Sequence, residues 1–202
     1  MWENNEVSLY KGDKREEEEM KELEEEIKKC RKCRLWKSRK NAVPGEGNYN
    51  ADLMLVGEAP GKTEDEMARP FVGKAGQLLT EILEKNGIRR KDVYITNVVK
   101  CRPPNNRNPM KDEIEKCLPY LKKQLEIIKP KVILTLGNFA TQTILPLYGF
   151  KAENISKIRG KVFDSPLHGI KILPTYHPAA CIYAPWLKEK FENDIKKVLE
   201  LI

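Results

Sequence analysis

Apolar positions along the chain fall into two kinds of pattern. Short, nearly unbroken apolar runs recur at 52–56 (DLMLV), 93–99 (VYITNVV), 132–136 (VILTL) and 170–173 (IKIL), each bounded by polar or turn-forming residues. Such runs predict strands buried on both faces. Between them the apolar spacing changes to that of helices. Leu78, Leu79, Ile82 and Leu83 mark a helix over 73–86 that stops at Gly87. A second is predicted over 112–128, bent or restarted near Pro119, a third over 137–148, and an amphipathic helix over 186–201 closes the chain. Near the start, Met20, Leu23 and Ile27 lay a narrow apolar stripe along a highly charged helix from 14 to 29. Residues 1 to 12 show no period and are expected to be disordered or loosely attached.

Strands alternating with helices predict an α/β fold whose parallel sheet is covered on both faces. In such sheets ligands bind beyond the carboxyl ends of the strands. That rule selects four loops: 57–73, 97–110, 137–138 and 174–185. There is no internal repeat and no Gly/Ser linker, so the expected organisation is a leader and helix over 1–29 followed by one domain over 30–202. A chain of 202 residues can bury a core without disulfide support.

Charge sharpens this picture. Charged residues make up 33% of the chain, mostly as an excess of Lys and Glu of the kind found in proteins of hot environments. The net charge of +7 hides an asymmetry: residues 1–29 carry −5 and residues 30–202 carry +12. Two stretches, 30–40 and 96–111, hold Lys and Arg with no acid between them. Basic runs interleaved with Trp36 suggest a nucleic-acid partner, although solvated surface lysines would give the same composition. No run of 18 apolar residues predicts a membrane span, and the acidic start is unlike a secretory signal, so a cytoplasmic protein is expected. In a reducing compartment five cysteines argue for metal or cluster ligation over disulfides.

Cys30-x-x-Cys33 supplies two thiolates that one centre can bind, and Cys101 and Cys117 complete a set of four. From spacing alone, an iron–sulfur cluster, a zinc ion and unligated thiols all remain open. Cys181, among small and apolar neighbours, reads as a packed thiol. The loop Gly57-Glu-Ala-Pro-Gly-Lys-Thr63 approaches a phosphate loop but has three residues between its glycines instead of four. No strand end offers an Asp for Mg²⁺, which argues against a nucleotide hydrolase. Read instead as a site, Glu58 stands at one strand tip, Asn97 ends the next strand, and His177 sits in a Pro-flanked loop after the fourth. Each has an ordinary alternative, as helix cap, turn residue or buried hydrogen bonder. Their convergence on one sheet edge favours a shared site.

With these residues in hand, the chain resembles the family 4 uracil-DNA glycosylases, the iron–sulfur branch of that superfamily. The resemblance rests on Cys30-x-x-Cys33, Val43-Pro-Gly-Glu-Gly47, Gly57-Glu-Ala-Pro-Gly61, Arg69-Pro-Phe-Val-Gly-x-Ala-Gly76, Thr96-Asn-Val-Val-Lys-Cys-Arg-Pro-Pro104, Cys117-x-Pro-Tyr-Leu121, Leu136-Gly137 and His177-Pro178. It implies a three-layer sandwich with a central four-stranded parallel sheet, monofunctional excision of uracil from DNA, and a [4Fe-4S] cluster on Cys30, Cys33, Cys101 and Cys117. It further implies that Phe71 stacks on the base, Asn97 reads its edge, and Glu64 lies near uracil C5. His177, with the backbone N–H of Glu58 or Ala59, would serve uracil O2. Glu58 becomes the expected catalytic carboxylate, since the best-known relatives carry Asp where this chain has Ala59. The basic stretches then become DNA-backbone contacts through Arg34, Lys37, Lys100, Arg102 and Arg107. A monomer acting on uracil in single- or double-stranded DNA is expected. A non-enzymatic nucleic-acid-binding module is the competing reading, and it leaves Glu58, Phe71, Asn97 and His177 without a common purpose.

Overall fold

A computed structural model of the chain describes residues 14–202, so the expectation for residues 1–12 lies outside the described residues. Its elements follow in the order α1 (Lys14–Lys29), β1 (Glu46–Gly47), β2 (Leu53–Gly57), α2 (Lys62–Met67), α3 (Lys74–Lys85), β3 (Tyr94–Asn97), α4 (Lys111–Ile128), β4 (Val132–Leu136), α5 (Asn138–Leu147), α6 (Ile155–Ile158), β5 (Phe163–Ser165), β6 (Ile170–Thr175), α7 (Pro178–Tyr183) and α8 (Lys188–Leu199). The four apolar runs are β2, β3, β4 and β6, and every residue of β2, β3 and β4 is buried. Alternate side chains enter opposite layers. Met54, Val56, Tyr94 and Ile133 pack with α1, α4 and α5, whereas Leu53, Leu55, Ile95 and Leu134 pack with α3 and α8. Burial on both faces is why these strands read as continuous apolar runs.

The sheet is mixed and has six strands, in the order β1-β3-β2-β4-β6-β5, not the four parallel strands expected. β3, β2, β4 and β6 pair in parallel, and β1 and β5 add antiparallel edges to β3 and β6. Strands of two and three residues carry no hydrophobic period, which is why the sequence shows neither edge.

One helical expectation shifts and another is met. α4 runs unbroken through Pro119, whose side is exposed, so the carbonyl the ring displaces is open to water. α1 lays its predicted stripe against the core: Met20 and Ile27 have no exposed surface, and Glu24 accepts hydrogen bonds from Tyr49 (2.9 Å) and Tyr94 (3.3 Å). Among the described residues no helix is long and apolar enough to cross a membrane.

Candidate active site

The carboxyl ends of β2, β3 and β6 open into one cavity of about 600 Å³, within the range of small-molecule sites. Glu58, Ala59, Glu64, Phe71, Asn97 and His177 all line it, so residues up to 119 positions apart in sequence share one wall. β2 and β3 pair up to Gly57 and Asn97, and Val98 and Val99 then donate to the carbonyls of Gly57 and Glu58 (2.9 and 3.0 Å). This extension of the ladder fixes the backbone that carries Glu58 over the strand tips.

Asn97 is 2% exposed, and its Oδ1 is buried with no hydrogen-bond partner in the protein. A buried acceptor left unpaired costs roughly 1–3 kcal/mol, so a site that maintains one is shaped for a donor from outside the chain. Gly57 makes room for it: a Cβ there would lie 2.5 Å from Asn97 Oδ1 and 2.4 Å from the tip of the Phe71 ring. Phe71 is buried with φ at +48°, and its ring sits 5.6 Å from that of His177 at an interplanar angle of 33°.

His177 caps α7. Its Nδ1 accepts from the Ala179 N–H at 3.1 Å, which leaves the proton of the neutral ring on Nε2. The residue keeps some accessible surface, yet protein surrounds most of the ring, and that burial pushes its pKa down to about 4 against a weak opposing pull from Glu64. At neutral pH the ring is therefore an uncharged donor through Nε2. Glu58 is half-buried, and burial raises its carboxyl above the usual range. Ala59 lines the cavity beside it with a methyl.

Both carboxylate oxygens of Glu64 are hydrogen-bonded within its own loop. One carboxylate oxygen accepts from Gly61 N (3.2 Å), and the other from Val72 N (2.9 Å) and Gly73 N (2.6 Å), so it braces the turn that carries Phe71.

Cys30, Cys33, Cys101 and Cys117 line a second pocket together with Ile27, Trp36, Arg39 and Tyr120. Three of the sulfurs accept N–H hydrogen bonds: Cys30 from Lys32 N (3.4 Å), Cys101 from Arg39 Nη1 (3.0 Å) and Cys117 from Lys100 N (3.4 Å). Donors aimed at sulfur are the usual outer shell of a thiolate-held centre. Among the described residues no group of three or more His, Cys, Asp or Glu is gathered tightly enough to hold one metal ion. Burial pushes the Cys117 thiol up to about 11 and raises Cys101, so a strong cation is what would make them thiolates. Cys181 packs in the core of the opposite layer, as its context predicts.

One expected DNA contact is corrected. Lys100 is 1% exposed, and its Nζ donates to Thr96 Oγ1 (2.5 Å), the Asn97 carbonyl (2.7 Å) and Gln124 Oε1 (2.6 Å). It cannot meet a phosphate, because three buried oxygens already surround its Nζ. Arg107 makes a bidentate pair with the buried Glu113, and Arg102 bonds Asn106 (2.7 Å), so both order the loop that forms one cavity wall. Arg34 pairs with Asp112, and Lys37 is exposed. Lys62 and Lys74, exposed at the starts of α2 and α3, line the same cavity and were not singled out from sequence. The only signal for them was their place in the loop after the first core strand.

A family model described as Uracil DNA glycosylase superfamily matches residues 44–200. The chain is 53% identical over 171 residues to the type-4 uracil-DNA glycosylase of Saccharolobus solfataricus, covering 83% of this chain and 79% of that protein. A protein of the same description from Archaeoglobus fulgidus is 53% identical over 169 residues, covering 83% and 85%. A third, from Thermotoga maritima, is 47% identical over 162 residues, covering 80% and 79%.

Proposed function

Because the chain belongs to the Uracil DNA glycosylase superfamily, we propose that it hydrolyses the N-glycosidic bond of uracil in DNA and leaves an abasic site. The observation that carries the residue assignments is the orphaned Oδ1 of Asn97 in a cavity of base size. Uracil offers an N3–H donor beside an O4 acceptor. The Asn97 amide meets both, with Oδ1 accepting from N3–H and Nδ2 donating to O4. Cytosine reverses the pair and leaves both groups mismatched.

The bond is hidden in a stacked duplex, so the nucleotide has to be extruded into the cavity at a cost of a few kcal/mol. Stacking on Phe71, worth roughly 1–3 kcal/mol, offsets part of that cost. Cleavage then leaves negative charge on the departing base, reaching O2, and positive charge on the sugar. His177 Nε2–H and the backbone N–H of Glu58 or Ala59 serve as donors to O2, arranged before the reaction begins. The Glu58 carboxylate stabilises the cationic sugar and orients the attacking water. Glu64 acts one step removed, holding the Phe71 turn in place.

Cys30, Cys33, Cys101 and Cys117 would hold a [4Fe-4S] cluster. Bound there, it supplies iron–thiolate bonds that tie the segment after α1 to the end of β3 and to α4, and the hydrolysis itself transfers no electrons. Lys37, Lys62 and Lys74 are the exposed cations best placed for the DNA backbone.

The test is a uracil-containing single strand incubated with the protein and then cleaved with alkali. Breaks confined to the uracil position support the enzyme, and binding without breaks supports the non-enzymatic module. Asn97→Asp should lower uracil excision by at least about tenfold. Near-normal excision with unchanged base preference would remove the reading role.

A further inference from the structure

Phe71 occupies a left-handed backbone conformation, with φ at +48°, that a bulky residue adopts only when its surroundings enforce it. The enforcing group comes from elsewhere in the fold. Arg90 opens the short turn ahead of β3 and sends its guanidinium to the peptide units on both sides of the Phe71 Cα. Nη2 donates to the Pro70 carbonyl at 2.7 Å and Nη1 to the Phe71 carbonyl at 2.8 Å. The fork is itself fixed by Thr80 Oγ1 (3.2 Å) and by Glu46 (3.1 Å), whose other oxygen takes Arg69 (2.7 Å). Across the turn, Glu64 accepts from Val72 and Gly73. The carbonyls of the turn are thus held by a cation and its N–H groups by an anion. Gly76 lets this backbone seat against α3, since a Cβ there would lie 1.9 Å from the Phe71 carbonyl carbon.

Arg90 lines a different depression on the far side of Phe71 and is not among the residues that face the base cavity. We propose that Arg90 is a positioning residue that holds Phe71 in the orientation that stacks on the extruded uracil, and this rests on the stacking role given to Phe71 above. Only arginine suits this position, because a planar fork can span two carbonyls, a hydroxyl and a carboxylate, whereas a lysine ammonium can meet them only in part.

The experiment measures free uracil as an inhibitor of excision, alongside affinity for DNA that carries an abasic site, well below the melting temperature. Arg90→Gln should weaken uracil inhibition roughly tenfold, by analogy with loss of a stacking contact, and leave abasic-DNA affinity unchanged. Arg90→Lys keeps the charge opposite Glu46, should fold even if the Gln variant does not, and should fall between the two. Phe71→Ala combined with either Arg90 change should be no worse than Phe71→Ala alone. Additive losses, or unchanged uracil inhibition in both Arg90 variants, would overturn the positioning role. If Phe71→Ala itself leaves uracil inhibition intact, it is the stacking role that fails.

Discussion

Replacing His177 by Gln tests whether the ring is neutral in the folded protein and charged only after unfolding. The buried ring has a pKa of about 4 against an ordinary value of 6.5. Between those values the unfolded chain binds more protons than the folded one, so stability rises with pH across the window and is lost as pH falls through it. Integrating from pH 7 down to pH 5 gives a loss of about 2 kcal/mol from this one group, reduced toward about 1 kcal/mol by water at the exposed edge of the ring. Glu58 and the cysteine centre also respond to acid, but they are common to both proteins and cancel in the comparison. Urea unfolding followed by circular dichroism at the two pH values is the assay. His177→Gln should lose about 1–2 kcal/mol less than the parent between pH 7 and pH 5. Equal losses would refute the buried neutral imidazole and, with it, the Nε2–H donor assigned to O2.

Burial raises the Glu58 carboxyl, so excision should fall on acidification through a pKa above the ordinary 4.5, and that limb should vanish from the residual activity of Glu58→Gln in single-turnover pH profiles. Lys100→Met should leave the salt dependence of DNA binding unchanged, whereas Lys37→Ala and Lys74→Ala should each reduce the slope of log affinity against log salt by about 0.9. A reduced slope in the Lys100 variant would contradict its burial. Met20→Ala should destabilise the protein by about 2–5 kcal/mol, read by thermal or urea unfolding, because its side chain is fully enclosed between α1 and the sheet. A change within experimental error would mean that α1 contributes no core. Protein purified without oxygen should carry about four irons per chain, measured by metal analysis, and a single zinc would replace the cluster assignment.

The residues that build the site are legible in the sequence because strand period and strand ends are local properties of the chain. DLMLV, VYITNVV, VILTL and IKIL can be placed as core strands without their neighbours. Once they are parallel, the loops holding Glu58, Asn97 and His177 must meet at one edge. The cysteine set is legible for a similar reason, since residue type and spacing carry most of what ligation requires. What the sequence could not distinguish is which polar side chains face inward. Lys100 sits in a basic stretch and looks like a phosphate contact, but its partners include Gln124, 24 residues away, and only folding α4 over β3 encloses it. Glu64 is expected near uracil C5, and its hydrogen bonds with Val72 and Gly73 come only from the folded loop. Arg90, 19 residues from Phe71 and outside the cavity lining, reaches it only because a short turn before β3 packs beneath the loop. Such partnerships depend on long-range packing, and a local pattern records a side chain's chemistry without recording what it will meet.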